Sequence, residues 1–126
     1  MESSGLIDPE AAASLMEIRD GGLFAGRLLD LAHGAAGVEE LFAYRVGEGR
    51  EGEGAPQVLA SSSGLGDVAE RAEAYARRFH RSDPAVAARL RARPGSGFHC
   101  RIPAEAIELG AYRQLCFERP RFAEKI

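Results

Sequence analysis

Residues 47–56, GEGREGEGAP, hold four glycines and three glutamates in ten positions. Such a stretch has no apolar anchor and reads as a mobile surface loop. Its consequence falls on the two flanks. In VEELFAYRV, residues 38–46, Val38, Phe42, Tyr44 and Val46 share one face while Leu41 and Ala43 partly cover the other. That spacing predicts a strand with both faces covered, an internal one. QVLASSS, residues 57–63, reads as a second strand. Two strands joined by a connection that cannot pack are expected to close on each other as an antiparallel hairpin.

Helices are expected on both sides of that hairpin. Asp8-Pro9 is a start signal, with Asp as the cap and Pro in the first turn, where a missing N–H costs nothing. Ala12, Leu15, Met16 and Arg19 continue at helical spacing until Asp20-Gly21-Gly22 breaks the run. Leu23, Leu28, Leu31 and Ala35 begin a second stripe, which Gly34 or Gly37 would stop. Asp67 opens the clearest helix. Its apolar stripe is Val68, Ala72, Tyr75, Ala76 and Phe79, and Glu70, Arg71, Glu73, Arg77 and Arg78 are expected to face water. Asp83-Pro84 starts a shorter helix. FHCRI, residues 98–102, reads as a short strand, Pro103 to Ile107 and Leu109 to Phe117 as helical, and RFAEKI as the opening of another strand. The fold class is α+β, with a central antiparallel sheet flanked by helices.

The chain's 126 residues amount to a single domain, with apolar residues at 45% and charged residues at 28%. Nothing approaches the ~20 apolar residues of a bilayer span, and MESSGLIDPE lacks the apolar region of a signal peptide. Cys100 and Cys116 suit a reducing compartment. These features lead us to expect a cytoplasmic protein without membrane contact. Residues 1–60 carry 4 basic and 11 acidic groups, whereas residues 61–126 carry 12 and 8. The basic half still interleaves Glu70, Glu73, Glu105, Glu108 and Glu118 with its arginines, as a solvated helix face does and a DNA-binding surface does not.

Catalytic, metal and cofactor signals are absent from the pattern. Gly64-x-Gly66 sits between a strand and a helix like a phosphate loop, but Asp67 puts a carboxylate where the anion would lie, and a hairpin precedes it in place of a βαβ unit. His99 and Cys100 are adjacent, so in a strand they point to opposite faces. His33 and His80 form no ligand pair with them, and zinc needs four such donors. Leu115-Cys116-Phe117 reads as core, where a thiol stays protonated. Ser61–Ser63 lacks the glycines of a nucleophile elbow.

Two segments resemble one family. AYARRFHRSDPAVAARL, residues 74–90, is similar to the region of LuxR-type regulators in which an aromatic-rich helix leads into an Asp-Pro step. AYRQLCFERPRFAEKI, residues 111–126, resembles the segment before the closing strands of the N-terminal sensor domain in many such helix-turn-helix regulators. The resemblance implies a PAS/GAF-like α/β/α sandwich that senses or dimerises without catalysing. It also implies a homodimer, a small-molecule effector, and DNA contact only through a helix-turn-helix unit that nothing after Pro120 supplies. The implied ligand-binding residues are Tyr44, Tyr75, Phe79 and Asp83. In acyl-homoserine-lactone receptors the Asp of the Asp-Pro step accepts from the ligand amide, and Phe79 stands where they usually carry a tyrosine. Those receptors hold the lactone with a Trp, and this sequence contains none. Asp83 therefore has two readings, ligand acceptor or helix cap. A small cytosolic enzyme on the same scaffold is the alternative from another class. Leu6, Ile7, Leu15, Met16, Leu23 and Phe24 expose more apolar surface than one small sheet covers, so residues 8–33 are expected to contribute to the dimer.

Overall fold

A computed structural model describes residues 7–46, 56–93 and 95–126. The protein is mixed α+β and divides into two compact units, Met1–Arg45 with Gln57–Ala72, and Val46–Pro56 with Glu73–Ile126. Among the described residues each of its two antiparallel sheets has two strands. All of loop 47–56 except Pro56 lies outside the described residues.

The first unit begins with α1 (Pro9–Leu15) and α2 (Gly21–Ala36). As expected, Asp8 caps α1, its Oδ1 accepting from the Glu10 amide at 3.1 Å, with Pro9 in the first turn. Asp20-Gly21-Gly22 proves to be a beginning as well as a break. Asp20 Oδ1 accepts from the Leu23 amide at 2.7 Å and caps α2, whose first residues are the two glycines. The helix runs through Gly34 and ends at Gly37, which adopts φ 71°, the left-handed conformation that glycine takes without a Cβ penalty.

The expected hairpin is present. β1 (Glu40–Arg45) pairs antiparallel with β2 (Gln57–Ser63), from Glu40 opposite Ser63 to Arg45 opposite Gln57. Pairing steps from Ala43–Ala60 to Tyr44–Val58, which leaves Leu59 as the extra residue of a bulge and half exposed. Neither strand has a second partner among the described residues, so β1 is not the internal strand its two-faced apolar pattern predicts. Its cover comes from elsewhere: α2 lies along β2, with Gly26 over the Ser62 side chain and Ala25 fully buried.

The second unit takes over within α3 (Val68–Ala74), which continues as a π-helical turn over Tyr75–Phe79 and a 3-10 turn over His80–Ser82. Next come α4 (Pro84–Arg91), β3 (Ile102–Pro103), a 3-10 turn at Ala104–Ala106, and α5 (Gly110–Arg113) with a π turn over Gln114–Glu118. β4 (Glu124–Lys125) pairs with β3. The strand expected over 98–102 is present only at its end. Phe98 is exposed, and β4 offers a ladder of just two residues. The core of this unit is Ala74, Phe79, Ile107, Tyr112, Cys116 and Phe117, which places Cys116 and Phe117 inside as the sequence predicts.

Candidate functional site

The residues singled out at the Asp-Pro step converge in the second unit. Two helical segments bring them together. The π turn after α3 carries Tyr75 and Phe79, and its wider hydrogen-bond register is marked by the His80 amide donating to the Tyr75 carbonyl. α5 carries Tyr112, and the π turn after it carries Cys116 and Phe117. Tyr112 is the hub of four rings. Phe79 stacks on it at 5.4 Å between centroids, Tyr75 lies tilted at 5.5 Å, and Phe117 meets it edge-on at 5.6 Å.

Asp83 sits at the edge of this ring cluster, where one carboxylate oxygen performs the capping job and the other takes donors from within the chain. Oδ1 accepts from the Ala85 amide at 2.9 Å, so Asp83 is the N-cap of α4 with Pro84 in the first turn. Oδ2 accepts from the Tyr75 hydroxyl and from the Lys125 ammonium. Lys125 Nζ also donates to the Tyr112 hydroxyl at 2.8 Å and lies 5.1 Å and 5.5 Å from the Tyr75 and Tyr112 ring centroids. Both distances are within cation–π range. The carboxylate is 1% exposed and the lysine side chain 30%, so the cation forms the solvent side of the site.

Chemically this is a desolvated anionic acceptor walled by aromatic rings and closed by a cation. Such an enclosure selects a donor, and selects a charged donor more strongly than a neutral one. The sequence marked Tyr75, Phe79 and Asp83 but missed Tyr112 and Lys125. One signal was available: Lys125 is the sole lysine in a sequence whose other basic residues of the Lys/Arg type are all arginines.

Tyr44, the remaining candidate, belongs to the first unit, where its hydroxyl donates to the Ala72 carbonyl at 3.4 Å. Near it lies a second polar cluster, and with it a correction. Arg71, expected to face water with Glu70 and Glu73, is fully buried. Its Nη1 and Nη2 each donate to one Glu40 carboxylate oxygen at 2.5 Å, its Nε donates to Asp67 Oδ1 at 2.9 Å, and its guanidinium lies 5.9 Å from the Phe42 ring centroid. The forked bond to Glu40 is the main reason its pKa is raised, so the guanidinium stays charged despite its burial. The turn at Gly64–Gly66 is shaped by the Leu65 amide donating to Ser63 Oγ, and Asp67 at its end faces Arg71.

His80, buried where the π and 3-10 turns meet, has its pKa lowered by desolvation and by Arg81 and Arg89. Among the described residues no three His, Cys, Asp or Glu side chains group as a metal site requires, and no helix is long and apolar enough to cross a membrane.

No family model, curated protein or solved structure matches the chain.

Proposed function

We propose that the chain is a non-catalytic sensory or dimerisation domain of a LuxR-type bacterial transcriptional regulator, built on a PAS/GAF-like scaffold. One observation supports this reading above others. The carboxylate of the Asp-Pro step, the residue that the family resemblance implies as an effector acceptor, is buried beside aromatic rings with the Tyr75 hydroxyl donating to it. α2 layered on a β1–β2 hairpin is compatible with one half of such a sandwich. In this reading the protein works in the cytoplasm as a homodimer, and DNA is contacted by a separate helix-turn-helix unit.

The mechanism is a population shift. Asp83 ties two things together, since Oδ2 belongs to the site while Oδ1 holds the first turn of α4. A change of partner at Oδ2 re-aims the carboxylate and biases the start of α4, the kind of small local shift that a dimer converts into a new spacing of its DNA-binding units.

The reading is tested by fusing the chain to a DNA-binding domain that occupies its operator only as a dimer. Operator occupancy at concentrations where the unfused domain stays off DNA is expected. Occupancy no better than that of the unfused domain would remove the dimerisation role.

A further inference from the structure

We infer that Lys125 is a built-in occupant of the Asp83 site and that the effector displacing it carries an ammonium group. The inference rests on reading this site as the effector site, and it adds the chemical class of the ligand. Wherever else this sequence places a Lys/Arg-type cation it uses arginine, whose planar fork suits two carboxylate oxygens, as Arg71 shows on Glu40. At Asp83 a single carboxylate oxygen, a phenol oxygen and two ring faces converge on one point. A compact ammonium fits that arrangement and a planar guanidinium does not.

The occupant is held less firmly than the site. Lys125 lies on a two-residue strand, and its side chain is 30% exposed, so local opening there costs little. Asp83, Tyr75 and Tyr112 have anchors besides the strand, namely the α4 cap and the ring cluster. A neutral effector that expelled Lys125 would leave the 1% exposed carboxylate without a counter-charge, a heavy penalty. An alkylammonium replaces the charge, the hydrogen bonds and the ring contacts together.

Because Lys125 is the only lysine, protein labelled with [13Cε]lysine gives one side-chain resonance. Ring currents from Tyr75 and Tyr112 should place it upfield of free lysine. Titration with n-butylammonium chloride is expected to move it saturably to the free-lysine position, whereas sodium chloride and n-butanol leave it in place. Asp83→Asn, which keeps a capping oxygen, should abolish the response. In a second arm, Lys125→Ala lowers the unfolding temperature, and n-butylammonium restores several degrees that sodium does not. An unmoved resonance, a shift matched by sodium, or a response that survives in Asp83→Asn would overturn the inference. The DNA-binding fusion is read without any ligand, so the ammonium inference and the sensor reading fail separately.

Discussion

Asp83 accepts from three donors, and the three have different origins in the chain. The Ala85 amide is a local partner that any capping side chain would satisfy, whereas Tyr75 and Lys125 reach it from the π turn after α3 and from β4. Substitutions separate these contributions. Asp83→Ala removes the cap, worth about 1 kcal/mol, and also strands the Lys125 charge. Because that lysine is 30% exposed, the second loss is a further ~1–2 kcal/mol, below the full cost of an orphaned buried ion. Asp83→Ser and Asp83→Asn keep the cap and lose only the second part. Urea unfolding should rank the alanine variant lowest, with serine and asparagine between it and the unmutated protein. Serine equal to the unmutated protein would show that the Oδ2 contacts add nothing. The cap was legible because Asp-Pro is a short-range signal. The lysine 42 residues away was not, since only the folded chain brings β4 to Asp83.

His80 supplies a pH dependence with a definite sign. Burial holds its folded pKa below the ordinary value of 6.5, so the unfolded chain binds the proton more readily. Its contribution to stability is fully present above pH 6.5 and is lost as the pH falls through the lower folded value. Unfolding free energy should therefore decline with acidification from that point, and His80→Gln should flatten this part of the profile. Equal slopes in both proteins would assign the acid sensitivity to other groups.

Between elements, Arg71 joins α3 to β1 through Glu40 inside the first unit. With both side chains buried, Arg71→Met leaves Glu40 as an uncompensated charge at a cost of about 3–5 kcal/mol. Arg71→Lys should recover only part of this, because an ammonium cannot fork onto both oxygens. A loss below ~1 kcal/mol in denaturant titration would mean that water reaches Glu40 freely. The helical spacing of the sequence places Arg71 beside Glu70 on a polar face, and the partner that draws it inward lies 31 residues earlier. Helix starts were legible from Asp8 and Asp83, whereas Asp20 reads as a break and its capping of α2 emerges only in the fold. The π turns were not, because the wider register follows from packing Tyr75, Phe79 and Phe117 around Tyr112, which periodicity does not encode.

Two helix ends offer a paired test at the same scale. Gly37 and Arg121 both have left-handed φ, 71° and 64°. A Cβ at Gly37 meets nothing within 4 Å, so Gly37→Ala costs only backbone strain, about 1 kcal/mol. Arg121 is exposed and already bears that strain, so Arg121→Gly should stabilise by up to ~1 kcal/mol. Thermal unfolding of the two variants should shift in opposite directions. A shift of the same sign in both would place the strain elsewhere.

For the whole molecule, the hairpin, the α+β class and the buried Cys116-Phe117 pair followed from local patterning, while the number of strands in each sheet did not. The apolar surface expected at the start of the chain is present. Met16 is 86% exposed, Leu23 50% and Phe24 38%, the last two on the first turns of α2. We propose that these side chains contribute to self-association through residues 8–33. Leu23→Glu with Phe24→Glu should disrupt it without unfolding the helix, since both side chains already reach solvent. Sedimentation equilibrium decides between a dimeric sensor module and a solitary domain. The unmutated chain should sediment as a dimer at micromolar concentration, and the double variant as a folded monomer with an unchanged far-UV circular dichroism spectrum. A clean monomer of the unmutated chain at high micromolar concentration would contradict the account.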